Sequence, residues 1–442
     1  MRPLTGTGAR PRRLALLLLG RLRRSSVWQH AVDLERTQKL APDQLAAWQQ
    51  ERLHRLLCHA RDTTDFYRSL IPSDLSPDAT VEVLRSLPIV TRRMLKSETK
   101  RFVSRRFSER SLRLQHTSGS TGIPLAFWRD RDSLVRQKAE IAYFGSWAGY
   151  DFGARYLYIG PERSRLRGWV RNELSMWSTH PDDAWFAQLS NRLRARRVEI
   201  LIGHPSVLIP LASFQVRSSS GAGGFPCLRG VVSISEPLTE EARLRIEQSL
   251  GCPVLRRYST REVGIIASEC EEKRYHVNVG SNYVELLGPE GDEPSPPEQP
   301  GRCVVTSLAN YGMPFIRYDT GDIVTPDRTL CACGRRSPLL LRIEGRILDA
   351  ITTSEGRTVE AFDICAEFEG FPEVAQFQFS QLLDGSYRIL IVPSGPNVRL
   401  DHDGIARRFR GILGDSARIV VTQVDRISPL PSGKCPPVHR ER

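Results

Sequence analysis

Five groups of residues hold side chains that could do chemistry. In His116-Thr117-Ser118-Gly119-Ser120-Thr121-Gly122-Ile123-Pro124, small hydroxyl residues alternate with glycines. Glycine lets backbone N–H groups approach an anion with no Cβ in the way, and the hydroxyls add donors, so the stretch suits polyphosphate. It lacks the Gly-Lys-Ser/Thr of a Walker A loop, and an ordinary surface turn has the same composition. Arg257-Tyr258-Ser259-Thr260-Arg261-Glu262-Val263-Gly264 closes a predicted strand, where a tyrosine could stack on a base and a carboxylate could hold Mg²⁺. A buried tyrosine beside a surface Arg–Glu pair is the plainer reading. Asp322, after Thr320-Gly321, could accept hydrogen bonds from both hydroxyls of a ribose or cap its own turn. Lys434, on the Ser432-Gly433 turn, could neutralise developing phosphate charge or simply be solvated. Cys270, His276, Cys331 and Cys333 give Cys-x5-His and a later Cys-x-Cys-Gly, a donor set able to close a tetrahedral Cys3His zinc site.

These residues need a scaffold, and the apolar patterning describes one. Leu45, Trp48, Leu53, Leu56 and Leu57 recur at helical spacing in a segment broken by Pro72, Pro77 and Pro88. Ser133 to Gly149 reads as a helix with an aromatic group of Tyr143, Phe144 and Trp147, which could line an apolar pocket or pack as core. Arg155 to Gly160, Val198 to Gly203 and Leu228 to Ser233 are short apolar runs that read as buried strands. The third is followed by a helix capped by Thr239 and stopped by Gly251, then by a strand at Pro253 to Tyr258. Strand, helix, strand marks a βαβ unit, so part of the body is an α/β sheet. The proline-rich stretch 288–301 reads as an exposed connection between two strands. From Gly345 the pattern changes to helix, two strands, helix and strand, a small α+β unit of roughly 95 residues. Gly345 between Glu344 and Arg346 could serve as a hinge. The predicted division is 1–85, a basic helical extension; 86–345, the α/β core; and 346–442, the small unit.

Composition narrows the partners. The chain has 442 residues, a net charge of +13, 40% hydrophobic and 26% charged residues, which fits a soluble globular protein. Its arginines are spread along the sequence with no basic block interleaved with aromatics, which argues against nucleic acid. The nine cysteines are scattered and follow no secretory signal, so reduced thiols in the cytoplasm are expected. The first 24 residues carry seven arginines and no acid around the run Leu14 to Leu19. That run is too short to span a bilayer of about 20 residues, although weak contact with a membrane surface is open to it.

Taken in order, Thr117 to Pro124, Tyr258 to Glu262, Tyr318 to Asp322, Gly345 to Asp349 and Ser432 to Lys434 resemble the core motifs of the adenylate-forming superfamily, from about Ser86 onward. That family comprises acyl- and aryl-coenzyme A ligases, peptide-synthetase adenylation domains and luciferases. Tyr258 to Gly264, Glu269-Cys270 and Cys331-Ala332-Cys333-Gly334 are similar to its phenylacetate-coenzyme A ligase-like branch, many members of which are linked to capsular polysaccharide synthesis. The resemblance implies a large α/β domain with a small mobile C-terminal α+β lid. It implies formation of an acyl-adenylate from a carboxylic acid and ATP, then transfer to a thiol of coenzyme A or a carrier protein, or to a sugar amine; a non-catalytic nucleotide-binding scaffold is the contrasting outcome. Thr117, Ser118, Gly119, Ser120, Thr121 and Gly122 would hold phosphate. Ser235, Glu236, Pro237 and Tyr258 would meet adenine, Asp322 and Arg346 would bind ribose, and Glu262 would contact Mg²⁺. Lys434 would stabilise charge at the α-phosphate. Leu348 and Asp349 would be the pivot, Cys270, His276, Cys331 and Cys333 would hold structural zinc, and a homodimer is compatible with the pattern. Two positions depart from the motifs: Ser259 stands for glycine and Leu348 for an acid.

Overall fold

The computed structural model describes residues 26–117, 125–150, 153–160, 168, 172–178, 181–218, 224–288, 291–346, 350–371, 373–393, 395, 398–427 and 437–440. Ser118 to Gly122 of the glycine-rich loop, the proposed pivot Leu348 and Asp349, and Lys434 lie outside these residues.

The chain enters through helices α1 (Ser26–Thr37), α2 (Pro42–Thr63), α3 (Thr80–Ser86), α4 (Arg92–Ser97) and α5 (Thr99–Phe102). Pro42 opens α2 at a position that needs no N–H donor. The stripe Leu53, Leu56 and Leu57 is fully buried and packs with Phe66, Phe102, Val305, Phe315 and Tyr318, residues from much later in the sequence. Burying each such leucine contributes about 1.5–3 kcal/mol. Strands β1 (Arg113–His116) and β2 (Ala126–Arg129), paired antiparallel, flank the glycine-rich stretch in the sequence, and α6 (Arg131–Trp147) follows directly. Asp130 starts α6: its Oδ1 accepts from Ser133 N–H at 2.8 Å, while Oδ2 accepts from the N–H groups of Tyr311 and Gly312.

Among the described residues one sheet has eleven strands: β3 (Tyr156–Ile159), β4 (Glu173–Met176), β5 (Ile200–Gly203), β6 (Gly230–Ile234), β7 (Val254–Thr260), β8 (Gly264–Glu269), β9 (Tyr275–Val277), β10 (Asn282–Leu287), β11 (Gly301–Ser307), β12 (Tyr318–Asp327) and β13 (Leu339–Arg346). Their order is β10-β11-β12-β13-β9-β8-β7-β6-β5-β3-β4. From β4 to β7 the pairing is parallel, and from β7 to β10 it is antiparallel. The parallel half needs crossovers, supplied by α7 (Asp183–Ala195), α8 (Pro205–Ser218) and α9 (Glu240–Leu250). Helix α9 is the one expected from sequence: Thr239 Oγ1 accepts from Ala242 N–H, and Gly251 ends it with a left-handed φ of 72°. The proline-rich stretch joins β10 to β11, again as expected.

A second sheet, β18-β17-β16-β19, is built from β16 (Val374–Gln381), β17 (Tyr387–Pro393), β18 (Ile419–Gln423) and β19 (Val438–Arg440), after the short pair β14 (Ile351–Thr352) and β15 (Thr358–Val359). Helices α10 (Ala361–Glu367) and α11 (His402–Leu413) cover it, and Ile364, Phe379, Ile389, Ile405 and Phe409 form its own apolar core. The helix, strand, strand, helix, strand order matches the sequence reading. The final strand β19, parallel to β16, is an addition to it.

Candidate active site and metal centre

Strand β7 is where the parallel and antiparallel halves of the sheet meet, and a bulge lies between Tyr258 and Ser259. Bulges twist a strand locally and re-aim its side chains. Tyr258 O–H donates to Asp322 Oδ2 at 2.7 Å and lies 3.3 Å from Thr320 Oγ1, so the two residues predicted to handle base and ribose are in direct contact. Burial, reinforced by the Asp322 carboxylate, holds the phenol well above its ordinary pKa, so it remains a donor. Strand pairing sets Arg346 opposite Asp322. Ser259, where the family motif has glycine, takes no left-handed φ, so its Cβ costs no backbone strain here.

A cavity of about 330 Å³ opens beside these groups, lined by Ser235, Glu236, Pro237, Tyr258, Asp322 and Phe362 among others. It lies at the carboxyl ends of β6 and β7, the usual place for a ligand in an α/β sheet. Ser235 has φ 68°, a left-handed conformation uncommon for a residue with a Cβ. The turn is held by Glu236, whose carboxylate accepts from both the N–H and the Oγ–H of Ser206 at the start of α8. A larger hollow of about 520 Å³ lies elsewhere, between Trp177, Phe186 and Arg217 on one side and Pro393 and Arg426 on the other. It contains none of the residues singled out from sequence.

Glu262 follows β7 and is almost fully buried. Tyr318 O–H donates to its Oε1 at 3.0 Å, and Arg92 Nη1 stands 3.7 Å from the same oxygen. Arg92 also donates to Thr117 Oγ1 at 2.5 Å, and Thr117 closes the base of the glycine-rich loop through reciprocal bonds with Leu125. Arg129, the last residue of β2, donates to the backbone carbonyls of Arg261 and Glu262, both at 3.0 Å. The foot of the loop and the Glu262 carboxylate are thus fastened together from two sides. Sequence reading missed Arg92, Arg129 and Tyr318. The Tyr318 to Asp322 stretch was noticed for its aspartate, and nothing local marks either arginine.

The four metal-ligand candidates converge. Cys270 Sγ and Cys331 Sγ are 3.6 Å apart, Cys333 Sγ and His276 Nε2 are 3.2 Å apart, and all four donor atoms lie within 4.8 Å of one another. Burial, aided by Arg335, pushes the imidazole of His276 down to about 4, so it is neutral and able to ligate. Burial pushes the Cys270 thiol up to about 12, a shift that a bound cation would reverse. Three thiols and one imidazole at this separation fit a closed tetrahedral zinc site. Trp147, considered above for an apolar pocket, packs its ring on His276 with centroids 5.8 Å apart and carries the Arg335 guanidinium at 4.2 Å.

No protein-family model matches the chain. It is similar to a phenylacetate-coenzyme A ligase of Thermus thermophilus, 25% identical over 352 residues that cover 76% of this chain and 77% of the relative. A phenylacetate-coenzyme A ligase of Escherichia coli is 27% identical over 334 residues, covering 70% and 72%. Among solved structures, a 2-hydroxyisobutyryl-CoA ligase in its postadenylation state superposes with a TM-score of 0.75 at 18% identity, covering 89% of each chain. The same ligase in its thioesterification state gives 0.60. In sequence the chain is thus similar to phenylacetate-coenzyme A ligases over 70–76% of its length, and in fold it is similar to a 2-hydroxyisobutyryl-CoA ligase.

Proposed function

We propose that this chain is an AMP-forming acid–thiol ligase that activates a carboxylic acid with ATP and passes the acyl group to coenzyme A. One observation carries the reading: Tyr258, Asp322 and the Ser235–Pro237 turn share one cavity, next to a carboxylate, Glu262, that is tied to the foot of the glycine-rich loop. That is a base and ribose site beside a phosphate grip. The carboxylate oxygen of the acid attacks the α-phosphorus, the α–β P–O bond breaks, and pyrophosphate leaves. The thiol sulfur then attacks the acyl carbon, the bond to the AMP oxygen breaks, and the thiol proton passes to solvent. Little covalent work falls to the protein in either step; positioning and charge stabilisation dominate.

In this reading the loop 117–122 grips pyrophosphate, and Lys434 supplies the positive charge that the loop lacks. The segment 347–349, with Leu348 and Asp349, lets the C-terminal unit rotate between the half-reactions and exclude water from the adenylate. Glu262 suits Mg²⁺: it is a nearly buried carboxylate at the loop, with Arg92 as its cationic neighbour. Mg²⁺ there would neutralise phosphate charge. Zinc held by Cys270, His276, Cys331 and Cys333 would staple β9 to the segment after β12 and do no chemistry.

The test is carboxylate-dependent ATP–pyrophosphate exchange across a panel of aliphatic and aryl acids. Exchange with at least one acid is expected, falling roughly 100-fold or more in Lys434→Ala. Bound ATP with no exchange for any acid would overturn the reading. Thioester formation with coenzyme A, set against transfer to a carrier-protein thiol or an amine, identifies the acceptor.

A further inference from the structure

The cysteine and histidine cluster does not stand alone. Gln38, the residue after α1, is fully buried, and its Nε2 donates to the backbone carbonyl of Val277 at 2.8 Å. A carbonyl can only accept, so the amide nitrogen must be at that end, and Oε1 must face the other way. There Ser337 Oγ lies 2.6 Å from Gln38 Oε1 and donates its single proton to it. Ser337 Oγ is also 2.9 Å from His276 Nδ1. With its proton spent, the hydroxyl can only accept, so Nδ1 carries the hydrogen. The lone pair of His276 is therefore on Nε2, the atom that faces Cys333 Sγ.

We infer that the chain of Val277 carbonyl, Gln38, Ser337 and His276 is a built relay that selects the metal-binding tautomer of His276, and that Gln38 and Ser337 are positioning residues of the metal centre. The inference rests on the zinc reading above. Partners that orient a ligating histidine through its second nitrogen raise its basicity and fix its ring, and their loss costs about 10–100-fold in metal affinity. The relay also reaches across the sequence. Gln38 stands 299 residues from Ser337, and its own carbonyl accepts from Arg336 N–H at 2.8 Å. Metal binding and the seating of α1 are thereby linked.

The test uses the full chain loaded with Zn²⁺ or Co²⁺. Zinc affinity is read by competition with a chromogenic chelator for wild type, Gln38→Met, Ser337→Ala and Ser337→Thr. Wild type is expected to hold one zinc per chain. Gln38→Met and Ser337→Ala should bind about 10–100-fold more weakly, with Ser337→Thr recovering affinity through its hydroxyl. The Co²⁺ absorption of the first two should depart from the wild-type thiolate spectrum, a change that loosened packing far from the ligands would not produce. Ser337→Ala removes one oxygen, so the test stands even if Gln38→Met does not fold. Equal affinities and unchanged cobalt spectra would overturn the relay while leaving the metal site intact. A wild-type protein that takes up no zinc would overturn the metal reading and the relay with it. On chelation, amide exchange in residues 26–40 should rise; unchanged protection there would overturn the link to α1.

Discussion

One guanidinium, that of Arg92, reaches both Thr117 and Glu262. It joins the loop that would hold phosphate to the carboxylate that would hold its counter-ion, so its removal should harm turnover more than folding. Arg92→Met is expected to lower kcat/KM in pyrophosphate exchange roughly 100-fold, with Arg92→Lys retaining part of it. Tyr258→Phe deletes a buried donor to Asp322 and should cost about 1–3 kcal/mol in chemical denaturation. Tyr258, Glu262 and Asp322 stood out in the sequence only through the order of the motifs they belong to, since each stretch taken alone reads as an ordinary strand end or turn. Arg92 and Arg129 did not stand out. Their contacts span 25 and 132 residues, and an arginine in a chain rich in arginine carries no local mark.

At the scale of elements, strands β3, β5, β6 and β7 of the parallel half and helix α9 were readable from apolar runs and caps, whereas β4, Glu173–Met176, was not. The antiparallel half was harder, because β8, β9, β12 and β13 owe their partners to the sheet rather than to any alternation of their own. The join between β13 and α10 holds a cluster of acids. Glu344 accepts from Thr325 Oγ1 and pairs with Arg342 at 2.6 Å, and Arg342 reaches Asp363 at 3.9 Å. Glu360 sits against them with one buried carboxyl oxygen that finds no hydrogen-bond partner among the described residues. Burial, with Glu344 and Asp363 adding repulsion that Arg342 only partly offsets, pushes it up to about 7. Its folded pKa therefore lies above its unfolded one. The native state holds the extra proton between the two, and stability falls as pH rises from the ordinary glutamate range through about 7. In Glu360→Gln this part of the pH dependence should flatten, as read from denaturation midpoints between pH 4.5 and 8. An unchanged profile would remove Glu360 as its source.

For the whole molecule, zinc is expected to act as a clamp on the antiparallel half. Chelation should lower the melting temperature, and zinc should restore it, with the effect scaling with free metal concentration. The two-sheet architecture could be guessed from the change of pattern after Gly345. The sharing of one core by α2–α5 and β8–β12 could not, since no periodicity tells a helix which distant strand will cover it.

That shared core has a consequence for synthesis. Val90 pairs with Tyr318, and Arg317 donates to the carbonyl of Arg85 from 232 residues away. Helices α2–α5 are made before any strand of the large sheet, yet Val305, Phe315 and Tyr318, which pack on Leu53, Leu56 and Phe102, emerge late in it. At about 5–20 residues per second, the ribosome leaves that apolar stripe uncovered for on the order of ten seconds or more. Nascent chains stalled before residue 315 should bind hydrophobic-surface dyes and holding chaperones strongly, and chains extended past residue 345 should release them. Helices α2–α5 thus appear well before the strands that cover them and are among the last elements to find their place.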